Sequence, residues 1–460
     1  MKKIIRIIAG FMSFMLVATA TACSKEKLPE DSNLENQEDT SMIETVATEE
    51  NNSVQTNTGQ EIYWLADYDI NPRNAQDRSV ALALFEDQYG GKINWIWCYT
   101  DSKYDVLSSR ILSGEPVDMV SYDESSFPQG VMQDLFQPLD NYLDLNDSIW
   151  DTMREDINYF AYQGQHYVVP YAVSDPLLII YSRKLCQENN LDDPYELYQS
   201  GNWTWEKFKS MMQDFVSNGS ERYGVCGFLG KGILQSTGKN IINFDNYKFS
   251  NNISDSDIIS AENFLEEIDS ANLYDANWYS NFPTGNHVLF YAMQDWALDK
   301  SNAVNPDGDF MAVPFPKVSG SENYYLSGNY EAKMLVKNSD KGDAVATYIY
   351  CERLAQTEET SQQIAKQLAL QQEVSQVGTV LSYRTEEQYQ AILSYQQNLK
   401  NIFDFGYGMG TDMYGNGDYN YDTRGVMNHL TESVLEGHTW DSVSENCNAK
   451  INSILEENYQ

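Results

Sequence analysis

The sequence is poor in cysteine, histidine and cations. Beyond Cys23 it holds Cys98, Cys186, Cys226, Cys351 and Cys447, an odd number at wide spacings with no CxxC. No disulfide framework is indicated; buried free thiols are expected, with Cys186–Cys226 the one pairing left open. His166, His287, His429 and His438 show no metal spacing. HExxH, GxSxG and Walker A motifs are missing, and Gly230-Lys-Gly232 lacks the hydroxyl residue a P-loop needs. No cofactor and no metal is expected. Lys and Arg number 30 against 68 Asp and Glu, for a formal charge of −38. Such a surface repels phosphate backbones and excludes nucleic acid as a partner. With so many acids, some carboxylate pair always falls at glycosidase distance, so the acid count is no argument for hydrolysis. Beyond residue 22 no apolar run reaches membrane-spanning length.

What is present begins at the N-terminus. Met1, Lys2, Lys3 and Arg6 form a positive region, and Ile7 to Ala18 an apolar run of signal-peptide length. Ala20, Thr21 and Ala22 lead into Cys23, an ending that resembles the lipobox of bacterial lipoproteins. The resemblance implies cleavage before Cys23, lipidation there, and a place on the extracellular face of the cell membrane. An ordinary secretory signal with an incidental cysteine is the alternative. Removing residues 1–22, which carry three basic groups and no acid, takes the charge from −38 to −41. Residues 23–59 are acidic and polar without apolar periodicity, and read as a disordered tether of ~30–35 Å.

The folded body starts near Gln60. Glu61 to Ala66, Ile93 to Cys98 and Val117 to Ser121 read as strands, with helices over Arg78 to Tyr89 and Tyr104 to Leu112 between them. This βαβαβ order predicts a mostly parallel sheet whose ligands sit beyond the strands' carboxyl ends. Further strands are expected at His166 to Tyr171, Leu177 to Tyr181, Tyr223 to Leu229, Phe310 to Pro314 and Lys333 to Lys337. Helices are expected from Trp203 through Val216, over Ser254 to Ala271, Asp343 to Leu354, Met427 to Leu435 and Trp440 to Leu455, and a short helix or strand over His287 to Leu298. Thr204 reads as an N-cap, which makes Trp203 and Phe208 a hydrophobic staple.

Six stretches, in order, carry a family resemblance. They are Pro116-Val-Asp-Met-Val-Ser-Tyr-Asp123, Gly164 to Leu185, Trp203-Thr-Trp-Glu-Lys-Phe208, His287 to Ala297, Met311 to Pro316 with Lys333 to Leu354, and Val434 to Thr439. Together they resemble the extracellular solute-binding proteins of ABC importers, family 1, most of which carry sugars. The resemblance implies an α/β, two-lobed, periplasmic-binding-protein-like fold of type II, with mostly parallel sheets, flanking helices and a multi-crossing hinge. It places lobe 1 at 60–172 plus 314–356 and lobe 2 at 173–313 plus 357–460, with crossings near Pro170 to Asp175, Val313 to Val318 and Leu354 to Glu358. It also implies a monomer that closes on a carbohydrate ligand and delivers it to ABC permease subunits without covalent chemistry.

A sugar site needs aromatic faces and paired donors and acceptors. By the family motif, Trp296 is the first candidate for stacking, and Asp295 stands beside it where Gly or Pro is usual. Tyr122 and Asp123, and Trp64, Asp67 and Asp69, follow strands of the first sheet. Tyr171 and Asp175 lie at the first crossing, and Tyr330 and Glu331 precede a strand near the opposite wall. The Tyr-rich, Gly-rich segment 401–423 reads as a flap, and Asp418 to Asp422 as a turn with calcium-like ligand spacing. A surface enzyme acting on glycans and a carrier of peptides or other solutes are the competing functions.

Overall fold

The computed structural model describes residues 61–73, 78–245, 248–277, 282–414 and 420–459. The signal segment, Cys23, the tether and the first half of the calcium-like turn lie outside them.

Eleven strands build two sheets: β1 Glu61–Ala66, β2 Lys92–Trp97, β3 Met119–Ser121, β4 Ala172–Ser182, β5 Tyr223–Gly227, β6 Tyr274–Asp275, β7 Val288–Gln294, β8 Phe310–Val313, β9 Tyr325–Glu331, β10 Lys333–Leu335 and β11 Lys400–Asn401. The smaller sheet has the order β10-β3-β1-β2. Strands β1, β2 and β3 are parallel, and β10 runs antiparallel to β3. The larger has the order β6-β5-β7-β4-β9-β11, with β8 also on β4. There β6, β5 and β7 are parallel, whereas β4 is antiparallel to β7, β8 and β9. Helices used below are α1 Val80–Tyr89, α2 Lys103–Ser113, α3 Trp205–Ser217, α4 Leu229–Ser236, α5 Ser256–Ser270, α6 Trp296–Val304, α7 Gly342–Thr357, α8 Glu359–Ala369, α9 Glu386–Asn398, α10 Val426–Glu432 and α11 Trp440–Asn458.

Local chemistry sets the element ends. Ser79 accepts from the Leu82 amide to start α1, and Gly90 closes it at φ 63°. Thr204 accepts from the Lys207 amide at the head of α3, and the buried Trp203 and Phe208 rings meet edge to face at 5.6 Å, as the staple predicts. The five described cysteines, Cys186 and Cys226 included, are buried free thiols.

The chain passes between the sheets at three places. One is the entry to β4. Another is Ala332, between β9 and β10, where the Tyr122 amide donates to the Ala332 carbonyl and the Tyr171 amide to the Glu331 carbonyl, both at 2.9 Å. The third lies between α7, whose Tyr348 meets Phe85 of α1, and α9, whose Tyr395 donates to the Ala312 carbonyl of β8. Residues 325–331, grouped with the first lobe by the sequence, instead hydrogen-bond into the larger sheet, and the crossing expected at 313–318 falls at Ala332. The reason is register: Ser327, Asn329, Tyr330 and Glu331 pair with β4.

Behind this hinge an aromatic seam joins the lobes. Phe127 and Phe160 come from the first-lobe side, Phe244, Phe249, Phe403 and Phe405 from the second. Phe405 has six ring neighbours, with centroids 4.6–5.9 Å away. The segment around Phe405 docks on the first lobe: a Cβ at Gly408 would stand 2.2 Å from the Glu124 carbonyl oxygen, so only glycine allows this approach.

Candidate functional site

Both sheets turn carboxyl ends toward Ala332. Ser121, the end of β3, pairs with Lys333, and Glu331, the end of β9, pairs with Ala172. Because β7 is antiparallel to β4, its carboxyl end at Gln294 lies near the start of β4, opposite Leu177. Residues following these strands therefore border one cleft.

On the larger sheet's side the structure gathers Asp175, Asp295, Trp296 and Glu331. Trp296, first residue of α6, is 41% exposed, with Lys300 Nζ 4.7 Å from its ring centroid. Asp295 is buried, and its Oδ2 accepts from Arg384 Nη2 at 3.0 Å. Arg384 also holds Asp299, through Nε at 2.7 Å and Nη2 at 2.8 Å. Burial raises the Asp299 carboxyl above the ordinary carboxylate range, against the opposing pull of Arg384. Asp175 sits at a left-handed φ of 44°. Burial of its carboxyl, then the charges of Asp295 and Glu331, push it up as well. Glu331 accepts from Ser174 Oγ at 2.6 Å.

On the smaller sheet's side Asp67 and Asp69 are exposed. Asp67 accepts from Thr100 Oγ1 at 2.7 Å, and Asp69 from the Asn71 side chain at 2.8 Å. Asp123 is committed to structure: it caps the turn Glu124–Ser126 and receives Lys103 Nζ and Tyr104 Oη.

Four other residues expected here have their rings within the core. Trp64 is fully buried, and the buried Lys333 places Nζ 5.0 Å from its ring and 5.7 Å from that of Tyr171. Tyr171 is buried, and its carbonyl accepts from Arg353 at 2.8 Å. Tyr330 points into the aromatic seam, donating to Asp156 with Phe160 at 5.2 Å. The physical reason is alternation: Tyr330 and Glu331 are neighbours on one strand, so only one faces the cleft. Tyr122 packs between Phe160 and Phe403 with no partner for its hydroxyl, and burial drives that phenol far above its ordinary range.

Sequence reasoning missed Arg384, Lys300, and the exposed Trp95, Trp97 and Tyr99 of the β2 edge. The alternation of Trp95 and Trp97 was the available signal. The expected flap is partly described: Tyr407 and Tyr414 pack together at 5.1 Å, with Lys231 Nζ 4.7 Å from the Tyr407 ring. Among the described residues no group of three His, Cys, Asp or Glu side chains is placed to hold a metal ion. No described helix is long and apolar enough to cross a membrane. A cavity of about 280 Å³, lined by Ser182, Phe282, Val288 and Phe310, lies at the far end of the larger sheet, away from this cleft.

Solved structures with this fold are numerous. One is the cyclic alpha-maltosyl-1,6-maltose binding protein of Arthrobacter globiformis, at 14% identity over 86% of this chain and 99% of that one, with a TM-score of 0.63. Another is an extracellular solute-binding protein of Staphylococcus aureus in complex with maltose, at 11% identity over 87% and 98%, with a TM-score of 0.61. A third is the sugar-binding protein MalE of Xanthomonas citri, at 14% identity over 86% and 98%, with a TM-score of 0.60. A search of curated proteins returns no significant match. A family model described as bacterial extracellular solute-binding protein matches residues 81–368, more than half of the chain, and the chain belongs to that family.

Proposed function

We propose that the protein is a lipid-anchored carrier that takes a neutral oligosaccharide into the cleft and hands it to an ABC permease. The observation that carries this reading is the exposed Trp296, next in the chain to Asp295, whose carboxylate with that of Glu331 acts on Asp175 at the hinge. A pyranose has an apolar face for the ring and hydroxyls for the carboxylates. Three relatives in fold are named for, or bound to, oligosaccharides or sugars, which agrees in class. A neutral ligand fits the charge: Lys103 is paired with Asp123, Arg384 with Asp295 and Asp299, and Lys300 lies over Trp296. Of these three described cations only Lys300 is without a carboxylate partner, so an anionic sugar would find little charge to hold it here.

Binding acts by shifting an open–closed equilibrium that the permease reads. No bond is made or broken, so incubation with bound glycan returns it intact; accumulation of hydrolysis products overturns the carrier reading. Lipid on Cys23 holds the monomer at the outer face of the membrane, with the acidic tether as spacer. Exchange of Cys23 for alanine releases the protein to the medium and abolishes palmitate labelling; retention on cells contradicts the anchor. A neutral-glycan array followed by calorimetry tests the ligand class. Saturable 1:1 binding of a neutral oligosaccharide supports it, and binding confined to peptides or uronic acids refutes it.

A further inference from the structure

Among the described residues only four Phe, Tyr or Trp side chains are exposed, and three of them sit together: Trp95 at 39%, Trp97 at 51% and Tyr99 at 68%. Trp95 and Trp97 share one face of β2, the outer strand of its sheet, and Tyr99 follows directly. Tryptophan is highly buried on average, and an aromatic edge strand invites misassembly, so this cluster is costly unless it binds something.

Its position is informative. Trp97 pairs with Ala66, the last residue of β1, so the rings stand at the carboxyl edge next to Asp67. They are also held in place. Trp95 Nε1 donates to the Ala66 carbonyl at 2.9 Å, and Trp97 meets Tyr99 at 4.3 Å and 71°. Thr100 Oγ1 is fixed on Asp67 Oδ2 at 2.7 Å. Ring faces are thus bordered by a carboxylate and a hydroxyl, the combination a sugar ring needs.

The geometry points to an outer glycan subsite on the first lobe, formed by Trp97 and Tyr99 with Trp95 beside them. It is continuous with the cleft through Asp67 and engages the part of a neutral glycan chain that overruns the cleft. This rests on the carbohydrate reading above. The nearly perpendicular pair makes a corner, so it favours a chain that bends there over a flat ribbon.

The test is calorimetry with a neutral glycan series of two to seven units, chosen from the array, on the protein and its Trp97→Ala, Tyr99→Ala double variant, with circular dichroism as the folding check. The readout is the ratio of Kd for the shortest binding member to Kd for the longest. In the parent protein the ratio is about 10, one stacked ring's worth, and in the double variant it falls to near 1. Trp97→Phe, Tyr99→Phe restores most of the ratio. A parent ratio of 1, or one untouched by the double variant, overturns the subsite and leaves the carrier reading standing. Binding of no neutral glycan overturns both. Concentration-dependent dimerisation abolished by the double variant assigns the edge to self-association instead and refutes the subsite.

Discussion

Phe405→Ala removes the ring at the centre of the seam between the lobes. Phe405 is fully buried and stacks on Tyr159 at 4.6 Å and 24°, while Phe127, Phe160, Phe244, Phe249 and Phe403 surround it at 5.3–5.9 Å. A buried Phe→Ala exchange costs about 3–5 kcal/mol, set by how far the surroundings collapse. Collapse is limited here. The neighbouring segment is anchored by Asp404, whose carboxylate accepts from the Ile242 and Gly406 amides at 3.2 and 2.9 Å. Edge-to-face contacts are lost with the ring as well. The upper half of the range, about 4–5 kcal/mol, is therefore expected. Equilibrium urea unfolding, followed by tryptophan fluorescence and far-UV circular dichroism, measures it. Phe405→Leu keeps most of the volume and costs less, about 1–2 kcal/mol. A Phe405→Ala loss below about 1.5 kcal/mol would show that the seam is not a packed joint between the lobes.

Three further outcomes follow from buried charge. Glu262 is fully buried with neither carboxylate oxygen partnered, and burial, then Glu266, raise its carboxyl well above the usual range. A raised folded value means stability present below about pH 4.3 and lost as pH rises above it. Glu262→Gln removes that loss, so its unfolding free energy is at least the parent's at pH 7 and falls less between pH 4 and 7; a parallel pair of pH profiles refutes this. Asp404 is pushed up to about 6 by burial, so its share of stability is lost between about pH 4 and 6, and Asp404→Asn flattens the curve in that window only. Arg384→Ala leaves Asp295 and Asp299 uncompensated and costs about 3–5 kcal/mol in urea unfolding; a loss within experimental error shows that the triad does not hold this wall.

Much of the frame was legible in the sequence because local chemistry dictates it. β1 spans the residues that its apolar pattern marks out, and Trp203, Thr204 and Phe208 form the cap and staple their spacing predicts. Helix α4 was hidden, because Gly230 and Gly232 lower the helical propensity of its first turn. They are there for packing, since a Cβ would stand 1.7 Å from the Thr431 carbonyl oxygen at Gly230 and 2.0 Å from the Phe315 ring at Gly232. Helices α8 and α9 are polar overall, and α8 buries Ser361 alone, so neither stands out. At the site, the motif before α6 pointed to Asp295 and Trp296, but not to Arg384, which reaches Asp295 from 89 residues away. Alternation sends Tyr330 and Glu331 to opposite faces, and sequence alone does not say which face is the cleft. Nor does an alternating Trp95 and Trp97 say whether a helix covers them.

The most direct measurement is calorimetric titration of the neutral glycan selected on the array into the protein and into Trp296→Ala. With 41% of the residue exposed, the exchange leaves unfolding stability within about 0.5 kcal/mol of the parent. A carrier that stacks its sugar on Trp296 binds saturably at one site and loses at least about tenfold in affinity when the ring is removed. Unchanged affinity in Trp296→Ala, or heat evolved only with charged solutes, would contradict the assignment of this cleft to a neutral oligosaccharide.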